Sequence, residues 1–284
     1  ELTEHKLFTL MHDVQYRCGV AWQNNCYNQP GYTKFYYASD MDFRQVLPEM
    51  KRKPVLYLAG DSTAQSYHES ERPQTGWGEK LVDALEAENC WKEAHRDSSP
   101  FSQEMSYETR HIIVDNCAMA GRSSRSFREE GRLEDIKNQM KSGDYLLIQF
   151  GHNDAAAEKK ERYVPLETFG ESLMEYIRVA REKKAYPILI SSICLRPCLA
   201  NEQGENAKID ALLPKYAKEM KKLADKENIP YVDMLGITRK ACAKAGEEQT
   251  AVWYREDNVH LQEAGAQLYA HFVAEEIKKL IGKE

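Results

Sequence analysis

The 284-residue sequence contains no Cys-x-x-Cys pair, no Gly-x-Gly-x-x-Gly or Gly-x-x-x-x-Gly-Lys string, and no apolar run near the length of a membrane helix. A membrane helix needs ~20 such residues, so no spanning segment is expected. Seven cysteines, at 18, 26, 90, 117, 194, 198 and 242, are an odd number without metal-ligand spacing. They argue against a disulfide framework and against a zinc site. The missing glycine strings weigh against a nucleotide-binding fingerprint. Positive charge is not in excess: 39 Lys and Arg face 45 Asp and Glu, for a net charge of -6. Neither nucleic acid nor an anionic membrane surface is therefore an expected partner. The first residues, Glu1-Leu2-Thr3-Glu4-His5-Lys6, lack the basic and apolar regions of a secretory signal. Unpaired thiols favour a reducing compartment, so a cytoplasmic location is expected, or export if a leader once preceded Glu1.

What is present is enough apolar content for a large core: 42% of residues are hydrophobic. Residues 1–52 are rich in Tyr, Asn and Gln, show weak periodicity and end at the basic stretch Lys51-Arg52-Lys53. They read as an N-terminal extension packed on a main domain that spans 53–284. In the main domain, short apolar runs alternate with helical patterns. Val55–Ala59, His111–Ala118, Tyr145–Phe150, Tyr186–Ser192 and Tyr231–Met234 read as buried parallel strands. Leu166, Phe169, Leu173, Tyr176, Ile177 and Ala180 share one helical face, as do Leu261, Ala264, Leu268, Phe272, Ile277 and Leu280. A further helix is expected between Ala207 and Lys226 despite Pro214. Strands joined by crossover helices give an α/β doubly wound domain, which binds ligands beyond the carboxyl ends of its strands.

Four polar clusters fall at such places. Gly60-Asp61-Ser62 follows the first strand, and Ser62 there is either a nucleophile or a helix cap. Asp61 suits a turn that bonds local backbone. Gly121 follows the second strand, where a glycine N–H can approach a ligand closely as an oxyanion donor, or where it only turns the chain. Arg122 beside it is a candidate substrate contact or a solvated charge. Gly151-His152-Asn153-Asp154 follows the third strand; the Asn153 amide can complete an oxyanion hole, and His152 is a candidate substrate contact. Asp257 and His260 lie three apart ahead of the last helix, close enough for a carboxylate to fix an imidazole. The alternative is a capped helix start and a surface histidine. The turn after the first strand is not the Gly-x-Ser-x-Gly elbow, which weighs against an ordinary α/β-hydrolase.

Gly60-Asp61-Ser62, Gly121, Gly151-x-Asn153-Asp154 and Asp257-x-x-His260 resemble, in order, the four blocks of the SGNH (GDSL-type) hydrolases. The likeness covers roughly residues 53 to 281. Thr75-Gly76-Trp77-Gly78, Gly121-Arg122-Ser123-Ser124-Arg125-Ser126-Phe127 and Asp257-Asn258-Val259-His260-Leu261 resemble the rhamnogalacturonan acetylesterase branch. The resemblance implies a flavodoxin-like three-layer α/β/α fold whose five parallel strands run in the order 2-1-3-4-5. It implies Ser62 as nucleophile, His260 as base and Asp257 as its orienting acid. The Ser62 and Gly121 N–H groups with Asn153 would form the oxyanion hole. Residues 1–52 have no counterpart in that catalytic core.

The expected reaction is ester hydrolysis through an acyl-enzyme, with an acetylated plant polysaccharide or oligosaccharide as substrate and no metal or cofactor. Asp61, Trp77, Arg122 and His152 are candidate substrate contacts, and Tyr67 and Trp253 further candidate sugar platforms. Rival readings are an esterase for acetylated xylan, a lipid or a thioester, and a non-catalytic module that binds carbohydrate or phosphate.

Overall fold

A computed structural model describes residues 52–85, 92–95, 100–109, 111–197 and 204–281. Contacts divide the chain into two units between Arg52 and Lys53. The expected N-terminal extension lies outside the described residues, Arg52 excepted.

In the second unit, seven strands form one sheet: β1 (Val55–Gly60), β2 (Lys92–His95), β3 (Met105–Glu108), β4 (Ile113–Asn116), β5 (Tyr145–Gln149), β6 (Tyr186–Ile190) and β7 (Tyr231–Val232). Their spatial order is β2-β3-β4-β1-β5-β6-β7. The five expected strands are β1, β4, β5, β6 and β7, all parallel and in the expected order. The sheet is larger than expected, because β2 and β3 extend it beyond β4 in antiparallel pairing. Their sequences, Lys-Glu-Ala-His and Met-Ser-Tyr-Glu, hold no apolar run and so carry no strand signal.

Every residue of β1 is buried, so both faces of the sheet's centre are covered. The covering helices are α1 (Leu81–Leu85), α2 (Ser124–Glu129), α3 (Arg132–Gln139), α4 (Leu166–Glu182), α5 (Glu205–Glu227), α6 (Met234–Ala251) and α7 (Glu263–Ile281). The expected stripe of α4 is its buried face: Phe169, Leu173, Tyr176, Ile177 and Ala180 all lie in the core. α5 runs through Pro214 as expected. The face of α7 differs from expectation. Ala266, Tyr269, Ala270, Val273, Ala274 and Ile277 are buried, whereas Leu268 and Phe272 flank the core. Three alanines on one stripe let α7 lie close to its neighbours, α1 and α6. β7 is shorter than expected, because the Asp233 side chain accepts the Gly236 N–H and starts α6.

β1 pairs with β4 on one side and β5 on the other, so chain connections diverge at β1. The carboxyl ends of these three strands define the switch point where doubly wound sheets place their ligands. Ser62, Gly121 and Asn153 lie in the loops that leave those ends.

Candidate active site

The turn after β1 is held from below. Asp61 is buried; its Oδ1 accepts the Thr63 N–H at 2.9 Å and the Thr63 hydroxyl at 2.8 Å. Oδ2 meets Gln149 Nε2 and His152 Nδ1, each at 3.3 Å. Burial works to raise the Asp61 pKa, but the His152 and Thr63 hydrogen bonds and the His152 charge leave it below the ordinary value. Asp61 therefore shapes the turn from beneath and is not a substrate contact, contrary to the sequence expectation. Ser62–Ala64 form a turn, and the next helical residues are the short 3-10 turn Glu69–Glu71. Ser62 thus caps no helix, which removes the alternative reading of this serine.

The Thr75-Gly76-Trp77-Gly78 string braces the same turn. The Trp77 N–H donates to the Thr63 carbonyl at 2.9 Å. A Cβ at Gly76 would strike the Gln65 backbone, and one at Gly78 the Ala64 carbonyl. Only glycine permits that approach. Trp77 is fully buried and lies away from solvent. It is a core side chain and not a substrate contact, a second correction to the sequence expectation. Trp253 packs edge-on against Tyr269, and the Tyr67 hydroxyl donates to the Ser62 carbonyl at 2.7 Å. Neither is a sugar platform.

The stretch between β4 and α2 is knitted to the stretch after β5. Ser123 and Ser126 cap α2 reciprocally, side chain to backbone N–H. Asn153 Nδ2 donates to the Arg122 carbonyl at 2.9 Å. Asp154 Oδ1 accepts both the N–H and the hydroxyl of Ser124, at 3.0 and 2.5 Å. Its second oxygen is buried without a partner. Burial dominates, and the nearby Asp61 charge adds to it, so the Asp154 carboxyl is pushed up to about 7 against the pull of Ser124. The Arg122 guanidinium turns away from the site: it pairs with Glu130 at 2.8 Å and donates to the Ala120 carbonyl. Arg122 contributes its carbonyl to the site, not the charge expected of it. Gly121 takes a φ of 77°, a left-handed conformation that a side chain would strain.

The segment between α6 and α7 folds back so that Tyr254 and Leu261 form a bridge. Asn258 sits at φ 61° and is held by Arg196, which donates its N–H to the Asn258 carbonyl at 2.9 Å. This turn presents Asp257 and His260 together. Asp257 Oδ1 accepts the backbone N–H groups of Val259 and His260, each at 2.9 Å. Oδ2 accepts from His260 Nδ1 at 2.6 Å. Burial acts to raise the Asp257 pKa, but the His260 side chain and these two N–H groups bring it down to about 2. His260 Nε2 lies 2.9 Å from Ser62 Oγ, across 198 positions of sequence.

A pocket of about 370 Å³ opens on this pair. Ser62, Gly121, His152, Asn153, Asp257 and His260 all line it, and so do Lys159, Arg162, Leu195, Glu205, Asn206, Ile209 and Val259. Among the described residues, the Ser62 and Gly121 N–H groups have no hydrogen-bond partner. Asn153 has a second amide hydrogen beyond the one given to Arg122. Three donors are thus available beside a hydroxyl that an imidazole can deprotonate, the requirements for attack on an acyl carbonyl. Lys159, Arg162 and Glu205 carry no sequence signal, because they sit in charged runs that read as solvated surface.

Comparison with known proteins agrees with this geometry. Residues 56–273 match the model of the GDSL-like lipase/acylhydrolase family. The chain is 35% identical over 246 residues to rhamnogalacturonan acetylesterase RhgT of Bacillus subtilis, covering 81% of this chain and 93% of that protein. The crystal structure of Axe2, an acetylxylan esterase from Geobacillus stearothermophilus, aligns with a TM-score of 0.55 at 17% identity, over 82% of this chain and 95% of that one. Its likeness is one of fold. Residues 1–46 match a different model, the C-terminal domain of rhamnogalacturonan lyase family 11. In line with that, 59 residues are 49% identical to rhamnogalacturonan exolyase YesX of Bacillus subtilis, covering 21% of this chain and 8% of that protein. From residue 56 to residue 273, then, with its serine, glycine, asparagine and aspartate–histidine blocks gathered on one pocket, the chain belongs to the GDSL-like lipase/acylhydrolase family.

Proposed function

We propose that this protein is a serine esterase that removes acetyl groups from rhamnogalacturonan or its oligosaccharides. The observation that carries the reading is the continuous hydrogen-bonded line from Ser62 Oγ through His260 to Asp257, at 2.9 and 2.6 Å, on the wall of a pocket. The substrate class is supported by the acetylesterase relative and, independently, by the lyase-like residues 1–46, since both relatives' names refer to the same polymer.

Ser62 Oγ attacks the acetyl carbonyl while His260 Nε2 takes its proton. Asp257 accepts a hydrogen bond from the Nδ1–H throughout, which fixes the tautomer and steadies the imidazolium. The Ser62 and Gly121 N–H groups and Asn153 Nδ2 receive the oxyanion. The sugar alcohol departs with the proton held by His260, and water repeats the sequence on the acetyl-enzyme. No step calls on a metal or cofactor.

The test is acetate release from acetylated rhamnogalacturonan, acetylated xylan and long-chain esters, with Ser62→Ala as the blank. The first substrate is expected to have the highest kcat/KM. A preference for xylan or for long acyl chains would reassign the substrate, and equal release by Ser62→Ala would remove the mechanism.

A further inference from the structure

The charges on the pocket wall are not all paired. Lys159 Nζ pairs with Glu205 at 3.1 Å, and Asp257 is engaged by His260. His152 faces buried Asp61. Arg162 is left over: among the described residues no carboxylate meets its guanidinium. Its Nη1 reaches only the Gly121 carbonyl, at 3.5 Å, and its Nε is shielded from water without an acceptor. A guanidinium held at a pocket wall with unused donors is a receptor for a planar anion, because its fork matches a carboxylate in two parallel hydrogen bonds.

Its position says which anion. Gly121 offers its N–H to the oxyanion site, and its carbonyl touches Arg162. The guanidinium therefore stands one residue away from the reacting acetyl group, within the reach of a single sugar ring. We propose that Arg162 forms a subsite for the carboxylate of a uronic acid unit in the substrate, either the acetylated sugar itself or its immediate neighbour. The inference rests on the preceding reading, since rhamnogalacturonan carries a carboxylate on each galacturonic unit and xylan's backbone sugar carries none. It goes further by assigning recognition of that charge to one side chain. The carboxylate would also give the Arg162 guanidinium the anionic partner it lacks.

The experiment compares acetylated rhamnogalacturonan oligosaccharides with the same material after its carboxylates are converted to amides. The readout is the ratio of kcat/KM for the acid form to that for the amide form. Wild type is expected to favour the acid form by roughly ten- to hundredfold, the effect of a hydrogen bond to a charged group. Arg162→Gln brings the ratio near one, Arg162→Lys retains part of it, and high salt lowers it in wild type because the site is open to solvent. A wild-type ratio near one, or a ratio unchanged in Arg162→Gln, overturns the subsite and leaves the acetylesterase reading standing. No acetate from either form, with release from acetylated xylan intact, removes the substrate reading and this inference with it.

Discussion

Asp257 holds His260 at two points: Oδ1 accepts the histidine's backbone N–H at 2.9 Å, and Oδ2 accepts from its Nδ1 at 2.6 Å. The carboxylate therefore sets both the turn and the ring. Asp257→Asn keeps the size of the side chain but can present an amide N–H to the ring, which favours the wrong tautomer. The expected result is a fall in kcat of about 10²- to 10⁴-fold with folding preserved. Burst kinetics with a chromogenic acetate ester would show it; a loss below tenfold would contradict the role. Because the Asp257 pKa lies at about 2, activity lost in mild acid does not report protonation of Asp257. The depressed pKa means that the stability this carboxylate lends is present above its ordinary value of 3.8 and is lost as pH falls through about 2.

Asn153 spends one amide hydrogen on the Arg122 carbonyl and keeps the other for the pocket. Asn153→Ala is expected to lower kcat by about 10²- to 10³-fold, the usual cost of one oxyanion donor. It also leaves the Arg122 carbonyl unpaired, so a small drop in melting temperature accompanies it. Steady-state kinetics beside a thermal melt separates the two effects. Unchanged kcat would exclude Asn153 from the oxyanion hole.

Asp154 predicts a pH-dependent stability. Its folded pKa of about 7 lies above its ordinary 3.8, so between those values the folded protein holds a proton that the unfolded chain has lost. The carboxyl costs nothing below pH 3.8, and its penalty grows until pH passes 7. Asp154→Asn preserves an oxygen for Ser124 and cannot ionise. Its stability relative to wild type should therefore rise from about pH 4 to about pH 8, by up to roughly 4 kcal/mol. Denaturant melts at the two pH values measure this, and parallel curves would show that Asp154 does not titrate in that window.

Trp77 separates packing from recognition. Trp77→Ala is expected to destabilise the fold by about 3–5 kcal/mol, the range for a fully buried aromatic. Trp77→Phe costs less, since the indole N–H already lacks a partner. A rise in KM for sugar with unchanged stability would instead return Trp77 to the substrate site.

The blocks that meet at the candidate site were legible because the proposed chemistry constrains them tightly. A serine, a glycine, an asparagine and an aspartate–histidine pair each follow or precede an element that had to be where it is. The five parallel strands were legible because burial on both faces makes them continuous apolar runs. β2 and β3 escaped because their strands are mostly polar. α6 escaped because Gly246, at φ 79°, interrupts any helical stripe. Trp77 was misread because an aromatic beside a catalytic loop looks the same in sequence whether it faces sugar or core. Arg162 was invisible for the opposite reason: in Glu158-Lys159-Lys160-Glu161-Arg162, a charge that faces a pocket cannot be told from one that faces water.

Activation of Ser62 Oγ by His260 across 2.9 Å is the feature on which the proposed chemistry stands. Intact-mass analysis after treatment with a fluorophosphonate probe, followed by peptide mapping, reads it out. A single adduct is expected on Ser62, absent from Ser62→Ala and strongly slowed in His260→Ala. Folded wild-type protein that takes up no probe, or takes it up on another residue, would contradict that activation.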